Sequence, residues 1–181
     1  ISLSSVTIPK SMTLIAEYAF GSCCSISSIA IPESVRYIAS DAFSDCAALA
    51  CITVAEGNRV YDSREGCNAI IETASNKLVS GCAATIIPSS VTEIGWNAFD
   101  GHAGLSCIAI PEGVKEIGLY AFQDCAALSS IVIPASVIRI GLWAFSGCTS
   151  LVSITVAEDN KIYDSREGCN AIIETASNKL V

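Results

Sequence analysis

Basic side chains are scarce in this sequence, and their scarcity argues against nucleic acid as a partner. Ten Lys and Arg residues stand against 18 Asp and Glu residues, so the formal net charge is −8 at pH 7 and the sequence pI is about 4.5. Nucleic acid is bound by clustered Lys and Arg that neutralise phosphates, whereas the basic residues here are scattered. We therefore predict no nucleic-acid partner.

Long apolar runs are also missing. No uninterrupted apolar stretch approaches the ~18 residues of a membrane span, so we predict no membrane insertion. The sequence shows no recognisable signal peptide. We expect it to be a fragment of a longer repeat protein, and under that expectation the missing signal peptide leaves export open.

Residues suited to catalysis or metal binding are equally few. His102 is the only histidine, and as a catalytic base beside a cysteine it would need a third group to orient it. There is no C-x-x-C pair of pairs, and the vicinal Cys23-Cys24 has poor ligand geometry. The loop 62–68, which recurs at 164–170, has arginine where a calcium loop requires an oxygen ligand, so we predict an ordinary turn. We predict no enzyme activity, no cofactor and no metal.

The main feature of the sequence is a repeating unit of 23 residues. Units begin near residues 8, 31, 54, 87, 110, 133 and 156, and the unit at 54 is ten residues longer than the others. Residues 54–79 recur at 156–181 with three changes, so a block of 102 residues is duplicated. A fixed period of this length is typical of a solenoid, whose coils bury their apolar faces against each other. We interpret residues 1–181 as a single solenoid domain.

The apolar pattern of one unit predicts a strand, a corner and a short turn. An Ile-x-Ile step has the period of two that a strand needs, and the proline after it lacks the N–H that a parallel ladder requires. A Val-x-x-Ile-Gly step then turns the corner, and Ala-Phe-x-x-Cys fits one helical or 3₁₀ turn. In the long unit, residues 69–79 favour two strands around a polar turn, which predicts a β-hairpin projecting from the solenoid.

This unit resembles the treponemal-type leucine-rich repeats of the BspA-like family, whose pattern is C-x-x-L-x-x-I-x-I-P-x-x-V-x-x-I-G-x-x-A-F-x-x-C. Residues 125–134 and 140–148 match it position by position. The resemblance predicts a leucine-rich-repeat solenoid. In this fold a right-handed superhelix of 23-residue coils has one parallel β-sheet, short turns or 3₁₀ segments on the other face, and β-hairpin insertions in the long units. Departures are His102 in place of cysteine, Ala16 and Ala39 in place of glycine, and long units without the Ala-Phe turn.

Four of the ten cysteines occupy one position of the repeat: Cys23, Cys46, Cys125 and Cys148. Side chains stacked in register point the same way, which disfavours disulfide bonds, so we predict free thiols that act as small buried apolar groups. Disulfides at these positions are the less favoured alternative. Whether Cys24, Cys51 and Cys107 are free is left open.

One flank of the predicted solenoid gathers large side chains between the corner and the Ala-Phe turn. Exposed contiguous aromatic surface of this kind often marks a contact site. The alternative is that these side chains lie on the neighbouring coil and cover it. We call them the aromatic flank, and they are the candidate partner contacts: Trp96, Leu119, Tyr120, Leu142 and Trp143.

The resemblance implies a non-enzymatic, protein-binding module of a bacterial cell-surface or secreted adhesin that contacts host or extracellular-matrix proteins. No binding residue carries over, because the matching positions of the motif are the buried ones. The alternative is a structural spacer in a surface protein with no ligand of its own. Because a stack of coils exposes strand edges at its ends, end-to-end self-association is a further expectation.

Overall fold

The computed structural model describes residues 4–181 as a stack of coils built from short strands. Two 3₁₀ turns, Arg64–Gly66 and Arg166–Gly168, lie in the long units. The strands in these residues are β1 (Leu14–Ile15), β2 (Ser28–Ile31), β3 (Tyr37–Ile38), β4 (Cys51–Val54), β5 (Tyr61–Asp62), β6 (Ile70–Glu72), β7 (Lys77–Ser80), β8 (Glu93–Ile94), β9 (Glu116–Ile117), β10 (Ser130–Ile133), β11 (Arg139–Ile140), β12 (Ser153–Val156), β13 (Tyr163–Asp164), β14 (Ile173–Glu174) and β15 (Lys179–Leu180).

The solenoid prediction is confirmed, but parallel strands run along two tracks of the coil. The Ile-x-Ile steps form one track, where β2 pairs with β4 and β10 pairs with β12. The second track pairs β1 with β3 and joins β7, β8, β9 and β11. The sequence predicts only a corner at this second track. Its two-residue strands form because the isoleucine points inward and the residue before it points outward, which is the alternation of a strand.

The first track is interrupted, so the single sheet expected there is divided. Residues 85–88 and 105–110 form no strand. The second segment keeps the Ile-x-Ile step at residues 108–110, whereas the first has Thr85 in place of its first isoleucine. Ile108 and Ile110 are consequently half-buried, whereas their equivalents Ile131 and Ile133 are buried.

The predicted hairpin is present in the long unit, but it lies inside the stack and does not project. Strands β6 and β7 pair antiparallel, and Ile70, Ile71 and Leu78 are fully buried. Strand β7 also pairs in parallel with β8 of the next coil. The physical reason is burial, because three large aliphatic side chains on a projecting hairpin would face water, at a cost of roughly 1.5–3 kcal/mol each.

The core contains two stacks of phenylalanine rings. The stacks are separated by the long unit, which has no phenylalanine. Gly81 of this unit lies against Phe99, so closely that a Cβ atom on Gly81 would lie 2.1 Å from Phe99 Cε1. The ring centroids are 5.3 Å apart for Phe20 and Phe43, 5.0 Å for Phe99 and Phe122, and 5.4 Å for Phe122 and Phe145.

Tyr61 joins the long unit to the coil before it. Its hydroxyl oxygen accepts a hydrogen bond from the backbone N–H of Ile38 at 3.1 Å. The second long unit repeats this contact, because Tyr163 accepts from the N–H of Ile140 at 3.1 Å. Each tyrosine therefore supplies the acceptor that a backbone carbonyl supplies between regular coils.

We expect Tyr61→Phe to lower the free energy of unfolding by about 1–3 kcal/mol, because a buried N–H loses its acceptor. Ile38 is 5% exposed, whereas Ile140 is half-buried, so Tyr163→Phe is the matched control and is expected to cost less. Urea denaturation of both variants measures the difference. Equal losses would contradict the assignment of the cost to the orphaned N–H.

Candidate protein-contact site

The backbone at the corner before Ala-Phe adopts the left-handed conformation in four coils. The φ angles are 52° at Tyr18, 54° at Asn97, 57° at Tyr120 and 54° at Trp143. This conformation costs a residue with a Cβ atom roughly 1–2 kcal/mol, and asparagine is the side chain that tolerates it best. Asn97 therefore shows the less strained choice, yet three coils hold an aromatic residue there.

The stack brings the five residues of the aromatic flank onto neighbouring corners. Tyr120 and Trp143 stack with ring centroids 5.3 Å apart and an interplanar angle of 12°. Trp96, Leu142 and Trp143 are 57%, 65% and 59% exposed, while Leu119 and Tyr120 are half-buried. The flank is thus an exposed apolar surface resting on two half-buried side chains.

A row of charged residues borders the aromatic flank along the second track of strands. Lys77 Nζ lies 2.7 Å from Glu93 Oε1 and 6.0 Å from the centroid of the Trp96 ring. One coil on from Glu93, Glu116 pairs with Arg139 at 3.1 Å. Sequence reasoning missed Lys77, because its place beside Trp96 depends on the parallel pairing of β7 with β8.

A second exposed apolar surface lies on the first track, where the ladder is interrupted. Ile86 and Val132 are 74% and 58% exposed. They line a groove of about 560 Å³ that also includes Cys107 and Ile108. The signal for these exposed residues was available in the sequence, because each lies between two inward positions of the repeat: Thr85 and Ile87 flank Ile86, and Ile131 and Ile133 flank Val132. The groove was not predictable, because it follows from the missing ladder.

The cysteines of the repeat position form the predicted column of thiols. The Sγ atoms of Cys46, Cys125 and Cys148 each lie 3.1 Å from a phenylalanine carbonyl oxygen of the preceding coil. Burial raises the pKa of Cys46 to about 11 and also raises the pKa of Cys125 and Cys148. These groups are therefore protonated at neutral pH, whereas a nucleophilic cysteine needs the thiolate. All ten cysteines are free thiols, and Cys24, Cys51 and Cys107 are exposed.

His102 lies in the cysteine column, as the sequence predicts. The side chain is 1% exposed, and its Nδ1 atom has no hydrogen-bond partner in the structure. Burial lowers the pKa of His102 to about 4, so the imidazole is neutral at pH 7. Its position inside the core gives substrate no access to the ring.

The loops of the two long units are ordinary turns held by arginine. Arg64 Nε lies 2.8 Å from Asp62 Oδ1, and Thr73 donates to Asp62 Oδ2 at 3.0 Å. Burial opposes the charge of Asp62, but the hydrogen bonds from Arg64 outweigh it and lower the pKa of the carboxyl group. Across residues 4–181, no cluster of three or more His, Cys, Asp and Glu side chains is arranged to hold a metal ion. In the same range, no helix has the length and apolar character to cross a bilayer.

A family model described as the BspA type leucine rich repeat region matches this chain over residues 1–80 and 80–175, in six copies. No curated protein matches the sequence.

Solved structures of bacterial leucine-rich repeat proteins resemble this one. A leucine-rich repeat protein from Eubacterium ventriosum is 29% identical, with a TM-score of 0.72 over 82% of this chain and 41% of that protein. The pneumococcal vaccine antigen PcpA is 19% identical, with a TM-score of 0.55 over 82% of this chain and 43% of that protein, and shows the fold alone. The chain thus spans less than half the length of either protein.

Proposed function

The chain belongs to the BspA-type leucine-rich repeat family, and from this premise we propose that it is a non-enzymatic, protein-binding module of a bacterial cell-surface or secreted adhesin. Its partner is a host or extracellular-matrix protein. The aromatic flank is the contact surface, with the charged row beside it as a polar rim. Exposed aromatic residues with a polar rim are the usual composition of a protein–protein interface.

The observation that carries this proposal is the strained backbone beneath the aromatic flank. Tyr120 and Trp143 occupy left-handed corners where asparagine would cost less, and a half-exposed tryptophan gains little burial in return. The fold itself sets this backbone, since it recurs at Tyr18 and Asn97, but it does not set the choice of side chain, and residues held in sparsely populated backbone conformations cluster at functional sites. The stacking of the two rings supports the same conclusion, because it holds both side chains in fixed positions before a partner binds and so reduces the entropy lost on binding.

We expect Trp143→Asn to weaken binding about tenfold or more, which is the loss typical of an interface hot spot. Its melting temperature should stay within a few degrees of the wild type, because asparagine relieves the backbone strain while the stacking with Tyr120 is lost. The measurement is binding to immobilised collagen, laminin and fibronectin, together with thermal denaturation of each variant.

The matched control is Tyr18→Asn. Tyr18 has the same left-handed corner and is 65% exposed, but it lies in the first coil, away from the aromatic flank. Binding should therefore survive this change. If Tyr18→Asn and Trp143→Asn weaken binding equally, the flank is not the contact surface. If the unaltered chain binds neither the matrix proteins nor host cells, the adhesin proposal is wrong and the spacer alternative is favoured.

A further inference from the structure

The first track is interrupted in the middle of the chain, at a coil that is three residues short. In a regular coil proline follows the cysteine position by nine residues, as Pro134 follows Cys125, but Pro88 follows Cys82 by only six. The missing positions are those where the strand of a regular coil begins. Residues 85–88 consequently form no strand, because the chain is too short to run along the track before it reaches the proline.

The next segment along the first track, residues 106–111, has no strand beside it on the side of the short coil. We call this segment the strap. It keeps the Ile108-x-Ile110 step followed by proline, yet within residues 4–181 its residues 107–110 make no backbone hydrogen bond. Both isoleucines are half-buried. The strap therefore has the sequence of a strand without the pairing that backbone N–H and C=O groups require when they are buried.

Strand β10, on the other side of the strap, also has a free edge within the described residues, because it pairs only with β12. Contacts at both ends of the gap already align the strap with β10. Ser129 N–H donates to the Ser106 oxygen at 3.3 Å before the gap, and Ile138 N–H donates to the Lys115 oxygen at 2.8 Å after it. The two segments thus lie in the register of the repeat but lack the ladder that this register allows.

We propose that the strap moves between the open position of the structure and a closed position in which it pairs in parallel with β10. The closed register is Ile108↔Ile131 and Ile110↔Ile133, which is the one-repeat offset by which β2 pairs with β4. In a parallel ladder with this register, Val132 N–H donates to the Ile108 oxygen and Ile110 N–H donates to the Val132 oxygen.

The position of the strap decides what surface the first track presents. In the open position the track contains the groove of about 560 Å³ between Ile86 and Val132. Closing buries Ile108 and Ile110, as their equivalents in β10 are buried, and removes the groove. The closed strap is paired along one edge only, since the short coil offers no strand to its other edge. A strand held on one side opens more readily than one between two neighbours, so both positions are populated.

Amide hydrogen exchange of the 181-residue chain, resolved by NMR, tests the proposal. Val132 is the reporter, because its N–H is paired only in the closed position. Thr53 is the reference, because it has the same place in the ladder of β4 with β2. We expect the Val132 amide to be protected about tenfold or more relative to an unfolded peptide, and about tenfold or more less than Thr53. Protection equal to that of Thr53, or no protection at all, overturns the proposal, because the strap then has a single position.

Thiol labelling provides a second test on the side-chain level. Ile108→Cys places a thiol at an inward position of the strap, and Ile131→Cys is the matched control in β10, where the wild-type side chain is 2% exposed. With iodoacetamide under native conditions, the Ile108→Cys thiol should react roughly tenfold or more faster than the Ile131→Cys thiol, and more slowly than the exposed Cys51. Equal rates at the two introduced thiols contradict the proposal.

Restoring the short coil to full length should shift the strap toward the closed position. In this variant the sequence Leu-Ser-Ser-Ile replaces Thr85, which gives the coil the pattern of residues 125–134 and supplies a strand for the free edge of the strap. The Val132 amide should then be protected about tenfold or more better than in the unaltered chain. Unchanged protection in the folded variant would show that the short coil does not hold the strap open, and the proposal would be wrong.

Thr85→Leu is the matched control for the lengthened coil. Both changes remove the hydrogen bond that the Thr85 hydroxyl donates to the Asn68 oxygen at 2.7 Å, but only the longer replacement restores the missing residues. Thr85→Leu should therefore leave the protection of Val132 as it is in the unaltered chain, and an equal increase in both variants counts against the proposal. The exchange measurement on the unaltered chain decides the proposal even if the lengthened variant fails to fold. All of these measurements are made without a partner, so their outcome is independent of the proposed function.

Discussion

Phe122→Ala is expected to lower the free energy of unfolding by about 3–5 kcal/mol, the usual cost of removing a buried aromatic ring. Phe122 is fully buried, and its ring lies between Phe99 at 5.0 Å and Phe145 at 5.4 Å. Both neighbouring rings belong to other coils whose backbones are held by their own hydrogen bonds. The cavity therefore has little freedom to collapse, and the loss should lie in the upper part of this range.

Two tryptophan variants from the aromatic flank are the controls for this prediction. Trp96→Ala and Trp143→Ala should each cost about 1 kcal/mol or less, because these side chains are more than half exposed. Trp96 loses mainly its contact with the Lys77 ammonium group, and Trp143 loses mainly its stacking on Tyr120. Urea denaturation followed by circular dichroism compares the three variants. If the tryptophan changes cost as much as Phe122→Ala, the flank is part of the core and the proposed contact surface is wrong.

Acid is expected to destabilise this protein through His102. Burial lowers the pKa of His102 from 6.5 to about 4, so between these values the unfolded chain binds a proton that the folded chain excludes. The stability contributed by the neutral histidine is complete above pH 6.5 and is lost as the pH falls toward 4. Because a tenfold difference in proton affinity between the folded and unfolded chains corresponds to about 1.4 kcal/mol, the total loss is about 3 kcal/mol.

The comparison that isolates this effect is the stability of the unaltered chain minus that of His102→Cys at each pH. Cysteine restores the residue found at this position in the neighbouring coils. Burial raises the pKa of Asp100, which acts in the opposite direction, but both chains contain Asp100 and the subtraction removes most of its contribution. The difference should change by about 3 kcal/mol between pH 6.5 and 4. Parallel stability curves would show that His102 does not titrate as a buried group.

The stacking of the coils was predictable from the sequence because each repeat position becomes a column in space. The pairs Ile29↔Ile52 and Ile131↔Ile154 lie 23 residues apart, and the thiols of Cys46, Cys125 and Cys148 make the same contact in successive coils. The five members of the aromatic flank were placed together by the same argument. Whether they bind a partner stays a prediction, because a position in a column does not show what approaches it.

The long units were the part that the pattern described least well. Their composition predicted two strands around a turn, and the hairpin is present. The predicted location of the hairpin was wrong. Whether a hairpin projects or packs into the stack depends on whether the neighbouring coil has a free strand edge and an apolar surface. The split between the two phenylalanine stacks has a different origin: the long unit contains no phenylalanine, and the structure shows Gly81 of this unit lying against Phe99.

The amino-acid sequence by itself determined the period, the inward set of side chains and the family, because a 23-residue coil is a local structure whose apolar positions must repeat. Only the tertiary structure decided which strand edges are paired, that the hairpin of the first long unit is buried, and where tyrosine and tryptophan sit on a left-handed backbone. These properties depend on which coil lies alongside, and neighbouring segments of different coils meet only after the chain has folded.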